Sequence, residues 1–236
     1  MAKAFLIKAD QYLRFDVHVD SVDAGYPKPL VRGWSGLDDA GFERDVDCAV
    51  DLGAGKAFLF KGGNYVRLNQ STNAVDAPVR TIAEAWSGLD TADFAENIDA
   101  AVNWGNGKVY LFKADAYVRY DVAADRMDEG YPLPIADAWV GLSDAGFAED
   151  VDAAVNWGNG KVYLFKADSF VRYDVASDRV DDGYPLAIAD HWNGLAAAGF
   201  ADGIDAVWIR LRPMPQPSPP AGALRGAAVD RAVREE

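Results

Sequence analysis

The sequence predicts an all-β protein, a four-bladed β-propeller whose ring is closed by an inner strand from its C-terminal side. Three observations predict it. The seventeen residues DAAVNWGNGKVYLFKAD at 99–115 recur unchanged at 152–168. Related segments begin at Lys3 (KAFLIKADQYLRFD), Lys56 (KAFLFKGGNYVRLN), Lys108 (KVYLFKADAYVRYD) and Lys161 (KVYLFKADSFVRYD), at spacings of 53, 52 and 53. Nothing like DAAV precedes Lys3, while a spare copy, GIDAVW at 203–208, follows the last unit.

Each unit reads as four short strands. The innermost is DCAV (47–50), DAAV (99–102 and 152–155) or DAVW (205–208), small and apolar on both faces. In two units the turn NWGNG follows, where Asn-Gly supplies the positive φ angles of a tight hairpin. The second strand, such as Val109–Lys113, is β-branched and aromatic. The third is YVRYD (117–121), and a fourth falls near RMDEGYP (126–132). Ile135, Ala138, Trp139 and Leu142 then recur at helical spacing, so a short helix leads back toward the axis. The units are about 3–50, 51–102, 103–155 and 156–208, within a domain at 1–208.

The ends predict closure. The alternative is a trimmed N-terminus with DAVW beginning a lost fifth unit, against which IRLRPMPQ after Trp208 does not resemble NWGNGKVYLF. Ile204–Trp208 supplies the strand that the first unit lacks, pairing with Ala4–Lys8, and removes edges that invite aggregation. A solenoid would need distinct polar caps, and none is seen. Residues 209–236 leave the pattern: RPMPQPSPPAG is Pro-rich, and the segment reads as an extended, disordered tail.

Composition narrows the partners. The formal net charge is −14 over 236 residues, which repels nucleic-acid phosphates and anionic lipid and favours cationic ligands. A lone cysteine, Cys48, allows no intramolecular disulfide and reads as an inert buried thiol. The N-terminus shows no signal peptide and no window approaches transmembrane length, so the chain reads as cytoplasmic, with export by another route left open. A monomer or a homodimer is expected.

The ordered set DAAV, GKVYLFK, YVRYD, DxGYP (Asp23–Pro27, Asp128–Pro132, Asp181–Pro185) and WxGL (Trp34–Leu37, Trp86–Leu89, Trp139–Leu142, Trp192–Leu195) resembles the hemopexin-like repeat over residues 3–208. In form it is similar to stand-alone four-repeat members such as the plant seed albumin-2 group and bacterial relatives. It departs from them in its second unit, which has DAPVRTI for DxGYP, and in its C-terminal closing strand.

The resemblance implies an axial channel. A cation there would be held by the backbone carbonyls of Asp47, Asp99, Asp152 and Asp205, and an anion such as chloride by the N–H groups of Ala49, Ala101, Ala154 and Val207. A ring of oxygens suits a hard cation, Ca2+ or Na+. The alternative is that each Asp side chain caps the turn at strand entry and the channel holds only water. Some members of the family bind haem, for which His18 and His191 are the candidate ligands; solvated surface histidines are the other reading.

The recurring Trp34, Trp86, Trp139 and Trp192 read as core. Arg14, Arg67, Arg119 and Arg172 read as ties between blades through carbonyls. Trp104 and Trp157, in two units only, either pack on a neighbouring hairpin or anchor a partner. No nucleophile–base pair, phosphate loop or Cys/His cluster appears, so no enzyme is expected. The leading expectation is a non-enzymatic binding module for a protein or small ligand. A haem or polyamine (spermine) carrier and a storage or scaffold protein are the alternatives.

Overall fold

The structure, a computed structural model, describes residues 2–210. Four antiparallel sheets form the four blades of a β-propeller, and their inner strands lie side by side in a closed circuit about one axis. Outward from the axis, each blade has an inner, second, third and fourth strand, and a short fifth strand also pairs with the third. In the third blade these are Ala100–Asn103, Lys108–Lys113, Ala116–Asp121, Arg126–Met127 and Leu133–Pro134. The fourth blade has Ala153–Asn156, Lys161–Lys166, Ser169–Asp174, Arg179–Val180 and Leu186–Ala187. The second has Cys48–Gly53, Lys56–Lys61, Asn64–Asn69, Ala74–Val75 and Arg80–Thr81.

The first blade takes its inner strand, Ala206–Arg210, from the far end of the described chain, followed by Lys3–Lys8, Gln11–Asp16, Ser21–Val22 and Lys28–Pro29. Ile7 faces Ala206, Phe5 faces Trp208 and Lys3 faces Arg210. Closure is therefore real, but the strand sits two residues later than Ile204–Trp208, and the domain runs past residue 208. The cause is Asp205. Its N–H donates to the Ile7 carbonyl and its carboxylate accepts from Ala9, so it belongs to the turn and the strand starts after it. Ile209 and Arg210 are thus blade, not tail. The tail expected over the remaining residues lies outside the described ones.

One-turn helices follow the fifth strands: Leu30–Gly33, Ile82–Ala85, Ile135–Ala138 and Ile188–His191. Each begins with a fully buried Leu or Ile and ends at the Trp of WxGL. All four of those tryptophans are buried. The core lies between blades rather than within them. Leu13 and Phe15 of the first blade, for example, pack with Phe165 and Trp192 of the fourth.

The WxGL glycine has a physical reason. Gly141 has φ +91°, and a Cβ there would lie 3.0 Å from Val180 Cβ of the next blade. Gly194 meets Val22 in the same way, across the closure. The residue before each glycine accepts a hydrogen bond from that next blade: Val180 N–H donates to Val140 at 2.9 Å, and Val22 N–H to Asn193 at 3.0 Å.

Charge is arranged in a repeated network. Lys108 Nζ lies 2.7 Å from Asp121 and 2.8 Å from Asp128, which also accepts from Arg119 Nε at 2.6 Å. Lys161 with Asp174, Asp181 and Arg172, and Lys3 with Asp16, Asp23 and Arg14, repeat it. In the second blade Asp76 takes both Lys56 and Arg67. The arginines therefore bind carboxylates of their own blade, not carbonyls of a neighbour. Backbone register brings the pair together: Asp128 N–H donates to the Arg119 carbonyl at 2.8 Å.

These pairs set an acid limit. The Lys3 hydrogen bond, with backbone donors, holds Asp16 at about 2, and Lys108 does the same for Asp121. Their folded pKa lies below the ordinary 3.8, so their contribution is present above 3.8 and is lost as pH falls toward 2. The melting temperature is expected to fall across that interval in a pH series. A flat profile there would mean the network adds nothing.

Candidate functional site

The axis is where four equivalent residues converge. Asp47, Asp99, Asp152 and Asp205 each precede an inner strand. Their N–H groups donate to Phe60, Phe112, Phe165 and Ile7 carbonyls at 2.8–2.9 Å. Their carboxylates accept from the N–H groups of Gly62, Ala114, Ala167 and Ala9, each at 2.6 Å. Those donors sit in the left-handed region, φ 49–55°, in the turn joining the second and third strands. So the Asp side chains do cap a turn, but the hairpin turn of the second strand rather than their own strand entry.

With the side chain and N–H engaged, the carbonyl remains. Among the described residues no hydrogen bond is donated to the carbonyl oxygens of Asp47, Asp99, Asp152 or Asp205. These four residues, with Asp45, Asn97 and Asp150, line a cavity of about 440 Å3. Burial, foremost, raises the pKa of Asp47, Asp99 and Asp152. Neighbouring carboxylates add to it, Asp99 acting on both Asp47 and Asp152. The mouth therefore gathers negative charge that a cation would relieve.

Ala49, Ala101, Ala154 and Val207 lie one step further along the inner strands, buried and opposite Leu59, Leu111, Leu164 and Leu6. Cys48 is buried beside them, and burial raises its thiol pKa. Further along, Asn103 Nδ2 donates to the Asp51 carbonyl at 2.8 Å and Asn156 Nδ2 to the Trp104 carbonyl at 2.9 Å. These amides tie neighbouring inner strands together. Their recurrence in NWGNG is the signal that could have marked them, but it reads first as a turn motif.

The histidines are not brought to one cavity. His18 is exposed in the turn after Asp16, to which its N–H donates at 2.9 Å. His191 lines a second cavity, of about 190 Å3, together with Asp20 and five aromatic side chains; His18 does not. Trp104 and Trp157 are half-buried and pack on aromatic rings of their own and the next blade, Trp104 on Tyr110, Trp139 and Tyr173. Trp157 meets Tyr163, Trp192 and Phe15.

Comparison with known proteins adds the following. The Hemopexin family model matches residues 98–144 and 151–196. Albumin-2 of Pisum sativum is 28% identical over 209 residues, covering 82% of this chain and 89% of that protein. Matrix metalloproteinase-25 of Mus musculus is 33% identical over 159 residues, 64% of this chain, but the match spans only 23% of that protein. Among solved structures, a plant lectin with two metal binding sites from Cicer arietinum superimposes with a TM-score of 0.73 at 25% identity, covering 83% of this chain and 92% of the other.

Proposed function

This chain is a hemopexin-like four-repeat protein, and from that premise we propose that it is a non-enzymatic binding module whose axial channel holds a hard cation, Ca2+ or Na+. The observation that carries the reading is that Asp47, Asp99, Asp152 and Asp205, whose carbonyls accept no hydrogen bond among the described residues, all line one cavity. The residues fit the ion. Backbone oxygens are hard ligands, and Ca2+ takes about 6–8 of them, so four carbonyls need water to complete the shell. A cavity of about 440 Å3 has room for that water. Bound there, the ion would neutralise the mouth's carboxylates and tie all four blades to one point.

The N–H groups of Ala49, Ala101, Ala154 and Val207 are the proposed anion ligands, chloride being the simplest occupant. Successive N–H groups of a strand point to opposite sides, so one alternate set on the inner strands faces away from the second strand and toward the axis. The similarity to a seed albumin and a lectin supports a binding or storage role and fits the absence of any reactive constellation in the sequence. A crystal structure grown with Ca2+ should show axial density with oxygen distances of about 2.3–2.6 Å. Water alone in the channel, at saturating Ca2+ and at saturating Na+, would overturn the cation assignment.

A further inference from the structure

We infer that the 190 Å3 cavity at the seam between the fourth and first blades is a binding site for a small quaternary or methylated ammonium group. It is independent of the axial channel. Its walls are aromatic. Trp157, Tyr163 and Trp192 meet at 5.2–5.5 Å with interplanar angles of 62–87°, a corner rather than a flat stack. Phe170 stands 5.7 Å from Trp192, and Tyr184 5.6 Å from Phe170. Aromatic faces attract cations through the ring quadrupole, most strongly where water is excluded.

The only formal charge on the lining is Asp20. Three departures from the repeat converge on it. In the third and fourth blades the equivalent carboxylates are occupied: Tyr120 Oη donates to Asp125 at 2.8 Å and Tyr173 Oη to Asp178 at 3.0 Å. In the first blade Phe15 stands in place of those tyrosines, so Asp20 has no such partner. Asn193 replaces the Ser or Val of the other WxGL motifs, and its Nδ2 donates to the Asp20 carbonyl at 2.9 Å. That bond fixes the Asp20 turn against the fourth blade, while the same amide reaches the Asp20 carboxylate only at 3.5 Å. No ion pair among the described residues involves Asp20.

His191 is the third departure, where other units have Gly33, Ala85 and Ala138. It adds a wall, 6.1 Å from Phe170. Its Nδ1–H donates to the Ala187 carbonyl at 3.1 Å, which leaves Nε2 as an acceptor in the neutral ring. The nearby guanidinium of Arg172, 5.2 Å from the Tyr184 centroid, is already held by Asp181. The Trp192 ring N–H is sealed from solvent, so the cavity meets its ring. The pocket is smaller than the roughly 300 Å3 at which drug-sized sites begin, which matches a headgroup rather than a macrocycle. The lining carries one carboxylate and no Lys or Arg, which favours a cation over an anion.

The test uses choline and its uncharged isostere 3,3-dimethylbutan-1-ol, titrated calorimetrically into the full chain at mildly alkaline pH. Choline is expected to bind about tenfold tighter than the isostere, the equivalent of about 1.4 kcal/mol, within the cation–aromatic range. Asp20→Asn should weaken choline several-fold and leave the isostere unchanged. Phe15→Tyr should do the same from outside the cavity, because the new hydroxyl claims Asp20 as its counterparts do. Saturating Ca2+ should leave choline binding intact, which separates this site from the channel. Equal binding of choline and isostere, indifference to both variants, displacement of choline by Ca2+ or no binding of choline would each overturn the assignment.

Discussion

A chain lacking residues 206–210 is expected to lose cooperative unfolding altogether, rather than to fray at one end. The strand contributes more than its ladder to the first blade. Ala206 and Trp208 belong to the apolar cluster between the first and second blades, and Val207 and Ile209 to the cluster between the fourth and the first. Its removal opens two inter-blade interfaces at once and bares the edge of Lys3–Lys8. A single change measures the larger part. Trp208 is fully buried, stacked on Phe5 at 5.2 Å and tilted against Trp34 at 5.2 Å. Trp208→Ala should cost about 3–5 kcal/mol, the range for an aromatic deleted from a core. Denaturant unfolding followed by tryptophan emission and by far-ultraviolet dichroism reads both changes. A truncated protein that melts at the full-length temperature would show that the ring does not depend on its closing strand.

Much of this architecture is legible in the repeat. The second and third strands fall on the quoted segments, because alternating β-branched and aromatic residues between turn signals have one natural reading. The recurring tryptophans are core, as recurrence in register implies. What is not legible depends on three-dimensional accounts that no single unit contains. The closing strand slips by two residues because Asp205 is claimed by the Ala9 turn, a contact between opposite ends of the described chain. The arginines find carboxylates rather than carbonyls because the third strand pairs with a fourth strand only two residues long, followed at once by the aspartate. The fifth strand is invisible since two residues carry no period. Phe15, His191 and Asn193 look like scattered exceptions along the sequence. They become neighbours only when the ring brings the first blade against the fourth.

The channel cation is expected to raise the melting temperature of chelator-stripped protein, and to do so without help from any one carboxylate. An unfolded chain cannot gather four carbonyls, so the ion binds the folded ring alone. At a hundredfold excess over its dissociation constant it stabilises by about 2.7 kcal/mol. For a domain of this size that is about 5–10 °C. Asp99→Asn keeps an oxygen for the Ala114 N–H, which the carboxylate now accepts at 2.6 Å, and leaves the backbone carbonyl in place. It should bind the ion nearly as well as the parent, with its own stability little changed or slightly raised, since burial and, to a lesser degree, the like charge of Asp150 already disfavour the ionised form of Asp99. Asp99→Ala removes the turn's acceptor and should lose about 0.5–1.5 kcal/mol, the net worth of one ordinary hydrogen bond whose donor water can reach. The pH dependence has a definite sign. Asp47, Asp99 and Asp152 have folded pKa values above the ordinary 3.8, so their charged forms oppose folding as pH rises through the folded values, and stability from these groups is greatest below that window. A cation offsets that repulsion, so its effect on the melt should grow as pH rises through the same window. Melts that respond to neither Ca2+ nor Na+ at any pH would leave the four carbonyls to water.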